Sequence, residues 1–407
     1  MERLIFHVDV NSAFLSWTSV KRLQNGESDL RLIPACIGGE ANSRNGIVLA
    51  KSIPAKQFRI ETAEPISFAL RKCPSLIVVP PDFTWYRACS KAFKDICRSY
   101  APAVEEYSID ECFLDMSGTR LIYPDPVQTA YEIKDRIKNE LGFTVNIGIG
   151  PNKLLAKMAG DFEKPDKVHT LFTEEIPAKM WPLPVQDLLY CGKSTSERLN
   201  RAGIRTIGEL AAMNLPDLKR LMGDKSADFL HNAANGIDDG AVSEEFEDAK
   251  SYSIVTTEEE DIDTFARGEE LLLGLVDRVS KRLRQDDVET SCISVTVRYL
   301  DFKTRSHQRK LENPTDVSIE IYSIAKQLLR ELWDGHTPLR LIGVALNDVA
   351  KDSGTQLSLF EENNAKREKN QKMDRTMDSI LDRFGRDSLK RGTTIAGSSR
   401  PPRNGKN

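Results

Sequence analysis

Tyr107-Ser108-Ile109-Asp110-Glu111-Cys112-Phe113-Leu114-Asp115 sets two adjacent carboxylates inside an otherwise apolar, strand-like run. Charge buried in such a run is costly unless compensated, and a divalent cation is the usual compensator. Neighbouring residues of a regular strand point to opposite faces, so Asp110 and Glu111 can serve one site only at a hairpin end or a local distortion. Ser108-Ile109, just upstream, offers the place for that turn, while Asp115 reads as structural. A second run, Leu4-Ile5-Phe6-His7-Val8-Asp9-Val10, again drops an acid into a hydrophobic strand. Its alternation puts Phe6 and Val8 on one face and His7 and Asp9 on the other. Asp9, Asp110 and Glu111 are expected to converge on one pair of metal ions. An Asp-Glu pair alone is more often structural than functional, so the weight comes from what surrounds it.

At 407 residues the chain exceeds what one core holds, and two to four domains are expected. Its apolar and charged fractions are those of a globular protein. No apolar run reaches the length of a membrane span, and the N-terminus lacks the layout of a signal peptide. The seven cysteines include no Cys-x-x-Cys pair, which argues against a disulfide framework or a zinc site and for a cytoplasmic protein. A net charge of −4 is not that of a strongly basic nucleic-acid binder. The distribution says more than the sum: acid gathers between Glu244 and Asp263, base between Arg298 and Lys310 and again beyond Lys366. Such polarity suits a grip on phosphates by selected surfaces, though solvated surface charge explains any single cluster as well.

Taken in order, residues 2–10 read as a strand and 11–20 as a turn into a helix, with Ser12 as N-cap and Phe14 and Trp17 on adjacent faces. For Phe14, plain core packing competes with any functional role. Residues 76–81 read as a buried strand closed by prolines, 85–100 as a long amphipathic helix, 128–141 as another helix and 144–149 as a strand. Strand, helix, hairpin, helix, strand is a split βαβ sheet with helices on one face, the segment from Asn11 to Leu76 being a small insertion. Residues 151–166 form a helix ended by Pro165. Gly192-Lys193 and Gly203 open and join two short helices through Leu210, a helix-hairpin-helix pattern that holds phosphate on backbone N–H groups without reading sequence. A plain helical hairpin is the alternative. Past a charged linker at 237–250, residues 251–347 repeat the β-α-β-β-α-β order, and their hairpin carries Arg298, Lys303, Arg305, Arg309 and Lys310. Beyond Asp352 the chain is polar and expected to be flexible, apart from a helix-like 373–390.

His7-Val8-Asp9 with Phe14, Tyr107 to Glu111, Asn146 to Asp166 and the Gly192–Leu210 hairpin together make the first 350 residues resemble the Y-family, error-prone DNA polymerases, in the branch of bacterial DNA polymerase IV and UmuC-like proteins. The resemblance implies an α+β, multidomain right hand: a ferredoxin-like palm (1–10 and 77–166), small fingers (11–76), a helical thumb with the helix-hairpin-helix (167–238), a linker (239–250), an α+β little finger (251–350) and a flexible tail (351–407). It implies a DNA-directed DNA polymerase of low fidelity that inserts dNTPs opposite damaged DNA by two-metal nucleotidyl transfer. Two Mg²⁺ ions, or Mn²⁺ in their place, would be held by Asp9, Asp110, Glu111 and the backbone carbonyl of Val10. Phe14 takes the place of the family's steric gate against a ribose 2′-OH, and Lys164 and Lys56 the places of the triphosphate cations. Gly192, Lys193, Gly203, Arg298, Lys303 and Arg305 would hold primer–template DNA. The implied protein is a monomer with no membrane association.

Three departures stand out. Ile53 and Lys56 occupy positions where the family carries tyrosine and arginine, which removes one triphosphate hydrogen bond and downgrades a bidentate contact. Asn11 stands where many relatives have aspartate, and Ser12 replaces a bulkier residue near the nucleotide. Gln356-Leu357-Ser358-Leu359-Phe360 matches the short peptide by which bacterial polymerases bind the sliding clamp: three apolar side chains for pockets and a glutamine to hydrogen-bond. A clamp- and DNA-binding accessory protein with a decayed polymerase site is the main alternative. A palm-type nucleotidyl cyclase has no use for the hairpin, the second sheet or the clamp peptide.

Overall fold

Ile5–Val10 (β1) is buried along its whole length because it takes the centre of a five-stranded sheet. The computed structural model describes residues 3–39, 44, 46–245, 248–351, 361–385 and 388–389, in two units, Met1–Phe246 and Glu247–Asn407. After β1 the chain leaves the sheet through Ala13–Gln24 (α1), Ala35–Gly38 (β2), Val48–Lys51 (β3), Ile53–Lys56 (α2), Ile66–Lys72 (α3) and Ile77–Val79 (β4). It returns through Phe83–Arg98 (α4), Ala103–Glu106 (β5), Glu111–Asp115 (β6), Pro126–Leu141 (α5), Val145–Gly150 (β7), Lys153–Gly160 (α6) and Val168–Thr170 (β8). The sheet order is β5-β6-β1-β7-β8, with β1 antiparallel to both β6 and β7.

Alternation along the strands sorts their side chains. Phe6, Val8, Val10, Cys112, Leu114, Ile147 and Ile149 pack against Tyr86, Phe93, Ile133 and Ile137 from α4 and α5. Each such burial contributes about 1.5–3 kcal/mol. The opposite face of β7 is glycine at 148 and 150, and α6 lies directly on it. A Cβ at Gly148 would sit 2.0 Å from the Ala156 carbonyl oxygen, and one at Gly150 would sit 2.8 Å from the Ala156 nitrogen. Helices therefore cover both faces, not the single face expected, because the missing side chains admit a third helix.

The inserted segment differs from expectation at its end. β4 pairs in parallel with β2, Ile37 opposite Val79, so 77–79 closes the inserted sheet β3-β2-β4 instead of opening the palm. A short apolar run shows that a strand forms but not which sheet receives it.

The helices Lys193–Arg201 (α7), Ile207–Ala211 (α8), Leu215–Met222 (α9) and Asp224–Ala234 (α10) bury Leu199, Ile207, Leu210, Leu218 and Leu230 together with Leu154, Leu155 and Met158 of α6. The first part of the 239–250 linker is tied down: Ser243 N donates to Glu105 at 3.0 Å and Val104 N to Glu244 at 3.2 Å, along the edge strand β5.

The second unit contains Ser251–Ile262 (β9), Phe265–Gln285 (α11), Val288–Tyr299 (β10), Thr304–Thr315 (β11), Ser318–Leu332 (α12) and Leu339–Lys351 (β12) in a sheet of order β11-β10-β12-β9. Its core joins Leu272, Val276 and Val279 of α11, Ile321 and Leu328 of α12, and Ile293, Val295 and Val344 of the sheet. Glu361–Phe384 (α13) begins well before the helix expected at 373–390, and it docks on this unit. Asp374 accepts a hydrogen bond from Ser318 N at 2.8 Å, and Asp378 grips Arg284 through both oxygens at 2.7 and 3.2 Å. The helix expected from 373 onward is thus present and starts twelve residues earlier, in a stretch expected to be flexible, and it is fastened by charge. Among the described residues no helix is long and apolar enough to cross a membrane.

Candidate active site

The turn between β5 and β6 occupies Tyr107 to Asp110. The N–H groups of Tyr107 and Ser108 both donate to the Glu111 carbonyl at 3.2 Å. Ser108 Oγ donates to Asp110 Oδ1 at 2.6 Å and accepts from Asp110 N at 3.2 Å. Asp110 therefore escapes the strand's alternation, while Glu111 opens β6 directly opposite Asp9 in register. Val10 N donates to the Asp110 carbonyl at 3.0 Å, which joins Asp9, Val10, Asp110 and Glu111 at one end of two paired strands.

Two lysines and a histidine serve these acids. Lys164 is ion-paired with Asp9, and with Asp161 at 2.8 Å. Lys157 of α6 donates to Glu111 at 2.7 Å, and His7 Nε2 hydrogen-bonds the same oxygen at 3.3 Å. Burial pushes the Asp9 carboxyl above its ordinary range, and Lys164 opposes that without cancelling it. Burial also acts to raise Glu111, but hydrogen bonds from His7 and Lys157 outweigh it and bring the carboxyl down to about 2. Although burial works against the Lys164 ammonium, Asp9 and Asp161 hold it firmly charged. His7 is fully buried; its Nδ1 has no hydrogen-bond partner among the described residues and faces Gly160, where a Cβ would lie 3.2 Å away. A side chain at 160 would press on the imidazole, which would have to give by a few tenths of an ångström.

The loop that delivers Lys164 is fixed by a pair of buried amides. Asn146 donates to the carbonyls of Glu163 at 2.7 Å and Gly160 at 3.1 Å, and it accepts from Asn11 at 3.0 Å. Asn11 in turn accepts from Asp166 N and from Thr144 Oγ1, each at 2.9 Å. An aspartate at position 11 has no N–H to offer Asn146 Oδ1, so asparagine suits this partner.

Phe14 is the second residue of α1, after Ser12 in the left-handed region (φ 48°), which has no side-chain cap bond. Its ring stacks on Tyr86 at 4.7 Å and 12° and meets Phe83 edge-on at 5.8 Å. Ile53 and Lys56 begin and end the short helix α2, and both are exposed. Gly192 caps α7 with no side chain, beside exposed Lys193, and Gly203 (φ 88°) closes that helix with Ile204 N bonded to the Leu199 carbonyl at 3.0 Å. In the second unit Arg298 donates to Thr304 Oγ1 at 2.9 Å, Lys303 pairs with Asp301 at 2.8 Å, and Arg305 lies over the Tyr299 ring. Arg309 is engaged by Gln327 and Glu331. Gln356, Leu357, Ser358, Leu359 and Phe360 lie outside the described residues. Sequence reasoning missed Lys157 and Asn146 as individual residues, because nothing in a helix or strand pattern says which polar side chain meets which partner.

The donors at the strand ends are hard oxygens gathered beside cationic side chains, the chemistry that Mg²⁺ or Mn²⁺ requires. Among the described residues no three His, Cys, Asp or Glu side chains are already drawn into a metal cage, and Asp110 is turned to Ser108. The set fits a divalent ion that the side chains close around.

Residues 8–161 match the impB/mucB/samB family, residues 249–359 that family's C-terminal domain, and residues 187–238 the thumb domain of DNA polymerase-iota. DNA polymerase IV of Clostridium acetobutylicum is 43% identical over 396 residues, 97% of this chain and 99% of that protein. DNA polymerase IV 1 of Bacillus subtilis is 37% identical over 401 residues, 97% and 93% of the two chains. A solved Y-family DNA polymerase chimera superposes with a TM-score of 0.73 at 24% identity, over 86% of this chain and 99% of its own, which is a likeness of fold. The chain belongs to the impB/mucB/samB family of Y-family, DNA-directed DNA polymerases.

Proposed function

We propose that the chain copies damaged DNA with low fidelity by two-metal nucleotidyl transfer: a primer 3′-hydroxyl attacks the α-phosphorus of a dNTP, and pyrophosphate leaves. The observation that carries this reading is the register of Asp9 against Glu111, with Asp110 freed from the strand one residue earlier. Asp9, Asp110, Glu111 and the Val10 carbonyl are the ligands we assign. The chemistry such ions supply when bound is activation of the attacking hydroxyl and neutralisation of the leaving group. Lys164, on its amide-braced loop, and Lys56 offer point charges to the triphosphate. Phe14 lies under the sugar and rejects a 2′-OH. The bare N-terminus of α7 at Gly192 and Lys193, the Gly203 turn, and Arg298, Lys303 and Arg305 hold the primer–template by its phosphates. Gln356 to Phe360 bind the sliding clamp, which lends processivity to a monomer with weak individual contacts.

Primer extension with purified protein tests this directly. The unaltered chain should extend a primer with Mg²⁺, and Asp110→Ala combined with Glu111→Ala should abolish synthesis while leaving primer–template affinity in place. Synthesis that persists would remove the metal assignment. The exposed Ile53 and the lysine at 56 favour a second reading, a catalytically weakened clamp- and DNA-binding accessory protein. Under that reading the unaltered chain binds DNA and extends nothing.

A further inference from the structure

We propose that Lys94 is a positioning residue for this site, acting through Ser108 to hold the turn that aims Asp110. The inference rests on the reading of Asp110 as a metal ligand. Lys94 belongs to α4, on the face that packs under the sheet, and is 2% exposed. Its ammonium donates to the Ser108 carbonyl at 2.7 Å and to Glu106 Oε2 at 2.8 Å. Glu106 is also held by Arg98 at 2.6 Å, so its charge is compensated without Lys94. The Ser108 hydroxyl is in turn the group that holds Asp110 Oδ1. A single residue thus receives the buried lysine on its carbonyl and passes the restraint to the carboxylate through its side chain.

Apolar packing reaches this turn only in part: Ile109 lies against the core and Tyr107 meets the Phe113 ring at 5.3 Å. Tyr107 and Ser108 are exposed, and the turn borders an open cleft of about 400 Å³ lined by Arg87, Ser90 and Lys91. Removing one partner of a buried ion pair is costly when it strands the other, but Lys94→Met leaves Glu106 held by Arg98 at 2.6 Å. A purely structural role is therefore met as well by methionine, whereas a role in aiming the turn is not. Groups that orient metal-binding side chains typically cost about ten- to a hundredfold in metal affinity or activity when removed.

The test uses the full chain with Lys94→Met, Lys94→Arg, Ser108→Ala and the double variant Lys94→Met/Ser108→Ala. Single-nucleotide insertion at varied Mg²⁺ should show kcat reduced about tenfold in Lys94→Met and a raised half-saturating Mg²⁺, with primer–template affinity unchanged. Lys94→Arg should restore most of the loss. Ser108→Ala should reproduce the defect, and the double variant should be no worse than either single one, since both cut the same chain of contacts. Wild-type kcat and Mg²⁺ dependence in Lys94→Met, or multiplicative losses in the double variant, would overturn the proposal. Should Lys94→Met melt out, Ser108→Ala, on an exposed hydroxyl, decides alone: an unchanged Mg²⁺ dependence overturns it. Mn²⁺ titration followed by electron paramagnetic resonance needs no turnover and keeps the two readings apart. Binding through Asp110 without primer extension defeats the polymerase reading only. Mn²⁺ affinity unchanged in Lys94→Met and Ser108→Ala defeats the positioning role.

Discussion

Phe14 is braced by its stacking on Tyr86 and its edge contact with Phe83, so its ring cannot easily yield to a bulkier sugar. A clash in such a packed place costs about 1–3 kcal/mol, roughly 5- to 160-fold in rate. Phe14→Val should therefore lower the ratio of kcat/KM for a dNTP over its rNTP by about that factor, with dNTP insertion largely kept. Equal sugar selection in the variant and the unaltered chain removes Phe14 as the gate. At this scale the meeting of Asp9 with Glu111 was legible, because a carboxylate in an apolar strand is conspicuous, whereas the role proposed for Phe14 came from the family resemblance alone. Lys94 and Asn146 were not legible. Lys94 meets Ser108 across a helix and a strand, and Asn146 meets Asn11 across 135 residues, separations that no local pattern encodes.

Elements held by apolar alternation were easier to read than elements held by charge or by missing side chains. The hairpin of β5 and β6 and the two repeats of β-α-β-β-α-β follow from period-two and helical patterns, and the α7–α8 hairpin from its glycines. The seat of α6 depends on Gly148 and Gly150, whose meaning appears only once a helix is known to approach them. The docking of α13 hangs on Asp374, Asp378 and Arg284, which a search for apolar stripes overlooks. Asp374 is 3% exposed; it caps α12 at Ser318 N, where Val317 supplies no side-chain cap, and lies 3.5 Å from Arg284. Asp374→Ala removes a helix cap and part of the charge facing a buried arginine that keeps Asp378, so it should destabilise the second unit by about 1–3 kcal/mol. Urea denaturation measures this, and an unshifted midpoint would show that α13 contributes no such cap.

For the whole molecule, each unit has its own core: Met1–Phe246 around its five-stranded sheet and helical segment, Glu247–Asn407 around its four-stranded sheet. All the acids assigned to chemistry lie in the first unit, while Arg298, Lys303 and Arg305 lie in the second. Chemistry and part of the DNA grip should therefore be separable. A fragment of residues 1–246 is expected to melt cooperatively and to insert nucleotides with kcat near that of the full chain, but with a raised KM for primer–template. The salt dependence is the sharper measurement, because each phosphate contact adds about 0.9 to the slope of log affinity against log salt. If Arg298, Lys303 and Arg305 each hold one phosphate, the fragment's slope should be shallower than the full chain's by about 3. Equal slopes and equal DNA affinities would show that the basic hairpin of β10 and β11 takes no part in holding the primer–template.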